Sequence, residues 1–128
     1  MLGPYRRHCE GVEAFFNRRV AARQLEQYRR RGPTRSTRLL IEALEAQGVE
    51  GSTLLDIGGG VGALQHELLK AGAARAVSVD ASAAYLDAAK QEAERLGLAP
   101  QVTYHHGDFV ALAESQEPAD VVTLDRVI

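Results

Sequence analysis

One stretch constrains the chain more than any other: Leu54-Leu55-Asp56-Ile57-Gly58-Gly59-Gly60-Val61-Gly62. Thr53 to Ile57 carries apolar residues at consecutive positions, which suits a strand covered on both faces, as in a parallel sheet. Four of the next five residues are glycine. Without Cβ atoms, such a loop lets backbone approach a ligand closely. Ala63 to Ala71 then reads as a helix with Leu64 and Leu68 inward, closed by Gly72. A strand, a glycine loop and a helix in that order are the opening of a βαβ unit.

The unit repeats in form downstream. Ala76 to Asp80 reads as a second strand, and Ser82 caps a helix with Tyr85, Ala89, Ala93 and Leu96 on one stripe, ended by Gly97. Val102 to His105 is a third strand, followed by Gly107-Asp108 and a short helical stretch, Val110 to Ala113. Ala119 to Asp125 is a fourth strand. Strands alternating with helices imply an α/β, doubly wound sheet with right-handed crossovers. Upstream, Asn17 reads as an N-cap, with Ala21, Leu25 and Tyr28 at helical spacing and Gly32-Pro33 as a stop. Thr34 or Ser36 starts the next helix, with Leu40, Ala43, Leu44 and Gln47 along one side and Gly48 after it. Residues 1–50 thus form a helical extension and residues 51–128 the sheet domain. The apolar Val127-Ile128 just past a strand, with no helix following, reads as an incomplete sheet, or as an edge covered by another chain such as a second copy in a homodimer.

Composition removes several function classes. No apolar stretch reaches the roughly 20 residues that span a bilayer. Arg6, Arg7 and His8 precede no apolar segment, so no signal peptide is expected, and a cytoplasmic location follows. Cys9 stands alone, so no internal disulfide forms and a structural zinc site is not expected. The net charge of -2 hides an asymmetry: residues 1–38 hold ten Arg and three Glu, while the remainder is acidic. A basic arm suits an acidic partner, but no interleaving of aromatic and basic residues marks an RNA-binding module, and nucleic acid is not expected.

Two cofactors compete for the glycine loop. Gly58-x-Gly60-x-x-Ala63, with Asp80 about 20 residues on, also satisfies the dinucleotide fingerprint. Charge separates them. A pyrophosphate is anionic and disfavours a nearby carboxylate. S-adenosylmethionine has no phosphate and carries a cationic sulfonium and ammonium. Asp56 ends the first strand, where a carboxylate suits an ammonium. Asp80 ends the second, placed to accept from both ribose hydroxyls. Asp108 ends the third, placed to accept from an adenine amine, and Asp125 ends the fourth. Strand carboxyl ends are where doubly wound sheets bind ligands. Each acid also has a plain structural use: Asp56 can brace the loop, and Asp108 and Asp125 can cap helices.

The ordered set resembles the class I S-adenosylmethionine-dependent methyltransferases. Asp56-x-Gly58-x-Gly60-x-Gly62 matches the family's glycine motif, Gly59 included. Val79-Asp80 matches its ribose acid, Gly107-Asp108-Phe109 its adenine-contacting motif, and Asp120-Val121-Val122 leading to Asp125 its fourth-strand motif. The resemblance covers residues 51–128. It implies a Rossmann-like fold of which the first four strands are present, S-adenosylmethionine as cofactor, and a cofactor site that includes Ala81 beside Asp80. The implied reaction is in-line methyl transfer, which rests on holding donor and acceptor aligned. The acceptor is expected to be a small molecule. A nicotinamide-dependent oxidoreductase and a truncated, non-catalytic cofactor-binding module stand as alternatives.

No catalytic base is assigned. His105 and His106 lie on or near the third strand, and His66 reads as solvent-facing on the helix after the loop. Asp125 and Arg126 are better placed for the acceptor. The resemblance also implies that the N-terminal helices form a lid, with Phe15, Phe16, Tyr28 and Arg29-Arg30-Arg31 as candidates.

Overall fold

The computed structural model describes the backbone of residues 3–124 and the side chains of residues 14, 15 and 17–124. Asp125, Arg126 and the side chain of Phe16 lie outside the described residues. Two helices, α1 (Gly3–Arg31) and α2 (Arg35–Gln47), precede the alternating part. There follow β1 (Thr53–Ile57), α3 (Ala63–Lys70), β2 (Arg75–Asp80), α4 (Ala83–Leu96), β3 (Val102–His106), α5 (Phe109–Leu112) and β4 (Val121–Thr123). The strands form one sheet in the order β3-β2-β1-β4, every pairing parallel. The chain fills the sheet outward from β1 to β3, then returns to the other side of β1. The order therefore reverses between β1 and β4, beside the glycine loop, where such sheets place ligands.

The expected strands and the helices α3 and α4 form where the spacing places them. Ser82 caps α4, its Oγ accepting from the Tyr85 amide at 3.3 Å. β4 is shorter than expected. Ahead of it Asp120 turns its carboxylate to the Thr53 amide, at 3.0 Å, and pins the strand to the start of β1.

The two faces of the sheet differ. Leu54 and Ala76 point to the side of α3 and α4 and join Ile41, Leu64, Leu68, Leu69 and Ala93 in the main core. Leu55, Ile57 and Val79 point the other way, against Phe109 and Leu112. Val122 and Leu124 stay more than half exposed on this thinner side.

Three expectations fail in the extension and beside it. Asn17 is not a cap: α1 continues through it as one helix of 29 residues. α1 is polar over most of its surface, so only the narrow stripe Ala21, Leu25 and Tyr28 signals it, and a stripe that sparse does not show where a helix starts. In α2 the buried residues are Thr37 and Ile41, with Leu40 and Leu44 against the core, while Ala43 and Gln47 are exposed. His66 is fully buried rather than solvent-facing: it lies against Ala89 of α4, and Tyr28 of α1, which packs along α4, stacks on the imidazole at 6.0 Å.

Candidate functional site

The glycine loop needs its glycines for space as much as for conformation. Gly59 lies directly over the Asp56 carboxylate, and a Cβ there would collide with it. Gly62 takes a left-handed φ of 85° as the N-cap of α3, with the His66 ring filling the place of its missing side chain. The loop is thereby pressed onto the end of β1 from below and onto α3 from behind.

Asp80 organises the opposite wall. One carboxylate oxygen accepts from the Gly60 amide at 3.2 Å, the other from the Ser82 amide at 2.8 Å. The side chain therefore spans the gap between the glycine loop and the start of α4. Each oxygen keeps acceptor capacity for a further donor. The Asp80 carbonyl accepts from the Gly107 amide at 3.0 Å, and the Ala81 carbonyl contacts the His106 ring at 3.0 Å, which ties the end of β3 to the same corner.

Together these elements enclose a cleft of about 560 Å³, lined by Asp56, Gly58, Gly59, Gly60, Asp80 and Ala81 among the expected residues. Asn17 and Gln24 of α1 and Thr37 of α2 line it from the helical extension. Gln24 donates to the Tyr85 hydroxyl at 3.0 Å, joining α1 to α4 at the rim. Sequence reasoning missed Asn17, Gln24 and Tyr85 as site residues. A signal existed: Asn17 and Gln24 share the inward stripe of Ala21 and Tyr28, where polar side chains need a reason.

The charge of the lining is one-sided. Asp56 and Asp80 line the cleft, and among the described residues no Lys, Arg or His does. Nor do the described residues hold a group of three or more His, Cys, Asp or Glu able to bind a metal.

The remaining expected residues lie elsewhere. Gly62 is buried behind the loop. Asp108 takes its structural use: it caps α5, with Oδ1 accepting from the Val110 amide at 2.8 Å, and does not line the cleft. Phe109 packs under the sheet, and Gly107 serves the corner through its backbone. Phe15 is 56% exposed with the Arg18 and Arg19 guanidinium groups about 6 Å from its ring, and it too is away from the cleft. Asp125 and Arg126, the acceptor candidates, lie outside the described residues.

Tyr28, expected as a lid or acceptor residue, does not line this cleft. It is buried behind the loop, and its hydroxyl donates to Glu67 at 2.6 Å. Burial first, then that bond, push its ionisation far above the ordinary phenol range. Beside it Glu92, 1% exposed, accepts from Arg29 and Arg95, each at 2.8 Å. Chiefly through the Arg95 hydrogen bonds, its pKa is held at about 2. His66 completes the knot, kept neutral by burial that lowers its pKa to about 4.

Residues 54–127 match the methyltransferase domain family. The chain is 38% identical over 72 residues to a ribosomal protein L11 methyltransferase of Aliivibrio salmonicida, covering 56% of this chain and 24% of that protein. It therefore spans about a quarter of the curated relatives it matches. Its fold is similar to a SAM-dependent methyltransferase from Thiobacillus denitrificans in complex with S-adenosyl-L-homocysteine, with TM-score 0.58, 30% identity, and 70% of this chain on 35% of that one. It is also similar to an RNA methyltransferase from Salinibacter ruber, likewise in complex with S-adenosyl-L-homocysteine, with TM-score 0.58, 26% identity, and 70% of this chain on 57% of that one.

Proposed function

Since the chain belongs to the methyltransferase domain family, we propose that it is the donor-binding part of an S-adenosylmethionine-dependent methyltransferase, with the cofactor in the cleft between the glycine loop, Asp80 and α1. The observation that carries this reading is the wall of the cleft: the glycine loop, with Asp80 bridging it to the start of α4, and no Lys, Arg or His among the described lining residues. That lining favours a cationic ligand and opposes a pyrophosphate, which argues against the dinucleotide alternative. A volume of about 560 Å³ falls within the range of cofactor sites.

Asp80 fits a ribose, since its two oxygens each have one backbone donor and capacity for one hydroxyl. Asp56, beneath Gly59, presents negative charge at the other end of the loop. Asn17, Gln24 and Tyr85 close the rim and limit water. When bound, the cofactor supplies an activated methyl group whose departure leaves a neutral thioether. What this chain supplies is orientation, since such a displacement is fast only when donor and acceptor are held in line. The described cleft holds no histidine, so no imidazole on its walls removes an acceptor proton.

Residues 1–50 act in this reading as an extension that roofs the cleft, and residues 51–128 as the cofactor domain. A roofed cleft suits a small-molecule acceptor. A macromolecular acceptor is the second reading. It is favoured by relatives named for ribosomal protein L11 and RNA, and by the exposed Arg18, Arg19, Arg23 and Arg30 on the outward face of α1. No described helix is long and apolar enough to cross a membrane, and a cytoplasmic location is part of the same reading. Incubation with methyl-labelled S-adenosylmethionine and separated small-molecule, RNA and protein fractions tests it. Label in the small-molecule fraction is expected, and label in RNA or protein selects the second reading. Failure to label any fraction, with no retention of the cofactor, overturns both.

A further inference from the structure

The Asp56 carboxylate sits in a polar row that crosses the sheet. In the parallel register Asp56 stands opposite Ser78 of β2 on one side and Thr123 of β4 on the other. All three face α3, where an apolar rung would pack as Leu54 and Ala76 do two pairs earlier. Instead, Thr123 Oγ1 donates to Asp56 Oδ1 at 2.8 Å. From α3, Gln65 Nε2 donates to Asp56 Oδ2 at 2.9 Å and to Ser78 Oγ at 3.1 Å. Thr123 is 5% exposed, and Asp56, Gln65 and Ser78 are each 1% exposed. The Gln65 Oε1 has no donor among the described residues, so the amide is oriented by what its nitrogen reaches.

A buried carboxyl group gripped from a second strand and a helix is costly to assemble and holds one geometry. That geometry bears on the cleft, because Asp56 lines it and Gly59 rests directly on the carboxylate. We propose that Gln65 and Thr123 are positioning residues for the cofactor: they fix the Asp56 carboxylate, and through it the height of the glycine loop at Gly59. The docking of β4 beside β1 is then felt in the cofactor site through a single hydroxyl. The inference rests on the cleft being the S-adenosylmethionine site.

Calorimetric titration of the full-length protein with S-adenosylhomocysteine tests it, alongside the thermal midpoint of each variant. Binding by the wild type establishes the underlying reading by itself, so its absence is distinguishable from failure of this inference. Thr123→Val, which keeps shape and removes the donor, is expected to weaken affinity about tenfold, the equivalent of one charge-assisted hydrogen bond. Thr123→Ser restores it to within about twofold, since the hydroxyl alone carries the effect. Gln65→Met is expected to lower affinity by a similar factor, and the Gly59 amide resonance of the ligand-free protein to shift in both donor-deficient variants. If Thr123→Val does not fold, Thr123→Cys against Thr123→Ser makes the same comparison with a weak donor. Wild-type affinity in Thr123→Val, or equal loss in the Ser and Val variants, would overturn the proposal.

Discussion

Acidic residues occupy two ends of α1's inner face, and they are treated in opposite ways. In the cleft, Asp80 receives two backbone amides and, among the described residues, no basic side chain. Behind the loop, Glu92 is clasped by Arg29 and Arg95, and Glu67 by Lys70 and Tyr28. The second set is neutralised within the protein and serves packing between α1, α3 and α4. The first is, in the proposed reading, left to a ligand. Carboxylates in one small domain thus divide by their partners, and a one-sided lining is the better marker of a cation site than the acids themselves.

The comparison can be broken most easily at Asp80. Asp80→Ala removes both proposed ribose acceptors and releases Gly60 and Ser82, so S-adenosylhomocysteine affinity is expected to fall roughly a hundredfold or more in a calorimetric titration. Glu92→Ala is expected to do the reverse. It removes the buried carboxylate that joins two partly exposed guanidinium groups to α4 and lowers stability in urea melts, while affinity changes far less.

Acid pH sharpens the contrast. Burial lowers His66 from 6.5 to about 4, so between those values the unfolded chain takes up a proton that the folded one refuses. Stability should therefore decline as pH falls from about 6.5 to about 4, and His66→Phe should flatten that part of the profile. Glu92, lowered from 4.5 to about 2, contributes stability above its unfolded value that is lost over the lower window. The smallest effect belongs to Asp108→Ala, a cap of a short helix. A loss of about 1 kcal/mol is expected, with affinity reduced much less than in Asp80→Ala.

The strands, the glycine loop and Asp80 were legible because local signals coincide there: consecutive apolar residues, glycines, and an acid at a strand end. The burial of His66 and the partner of Tyr28 were not legible for one shared reason: both depend on what another segment does. His66 is buried where α1 and α4 pack beside α3, and Tyr28 reaches Glu67 in that same packing. Asp108 differs. It had a local structural use within its own turn, the capping of Val110, and takes it. Gln24 and Asn17 were missed because α1 is read as a surface helix until its inner stripe is seen against the cleft.

The central claim is that the cleft takes a cationic, phosphate-free cofactor. Parallel calorimetric titrations of the wild-type protein with S-adenosylhomocysteine and with NAD test it most directly. Saturable binding of S-adenosylhomocysteine, with none of NAD at the same concentrations, is the predicted result. Tight NAD binding without a response to S-adenosylhomocysteine would contradict it.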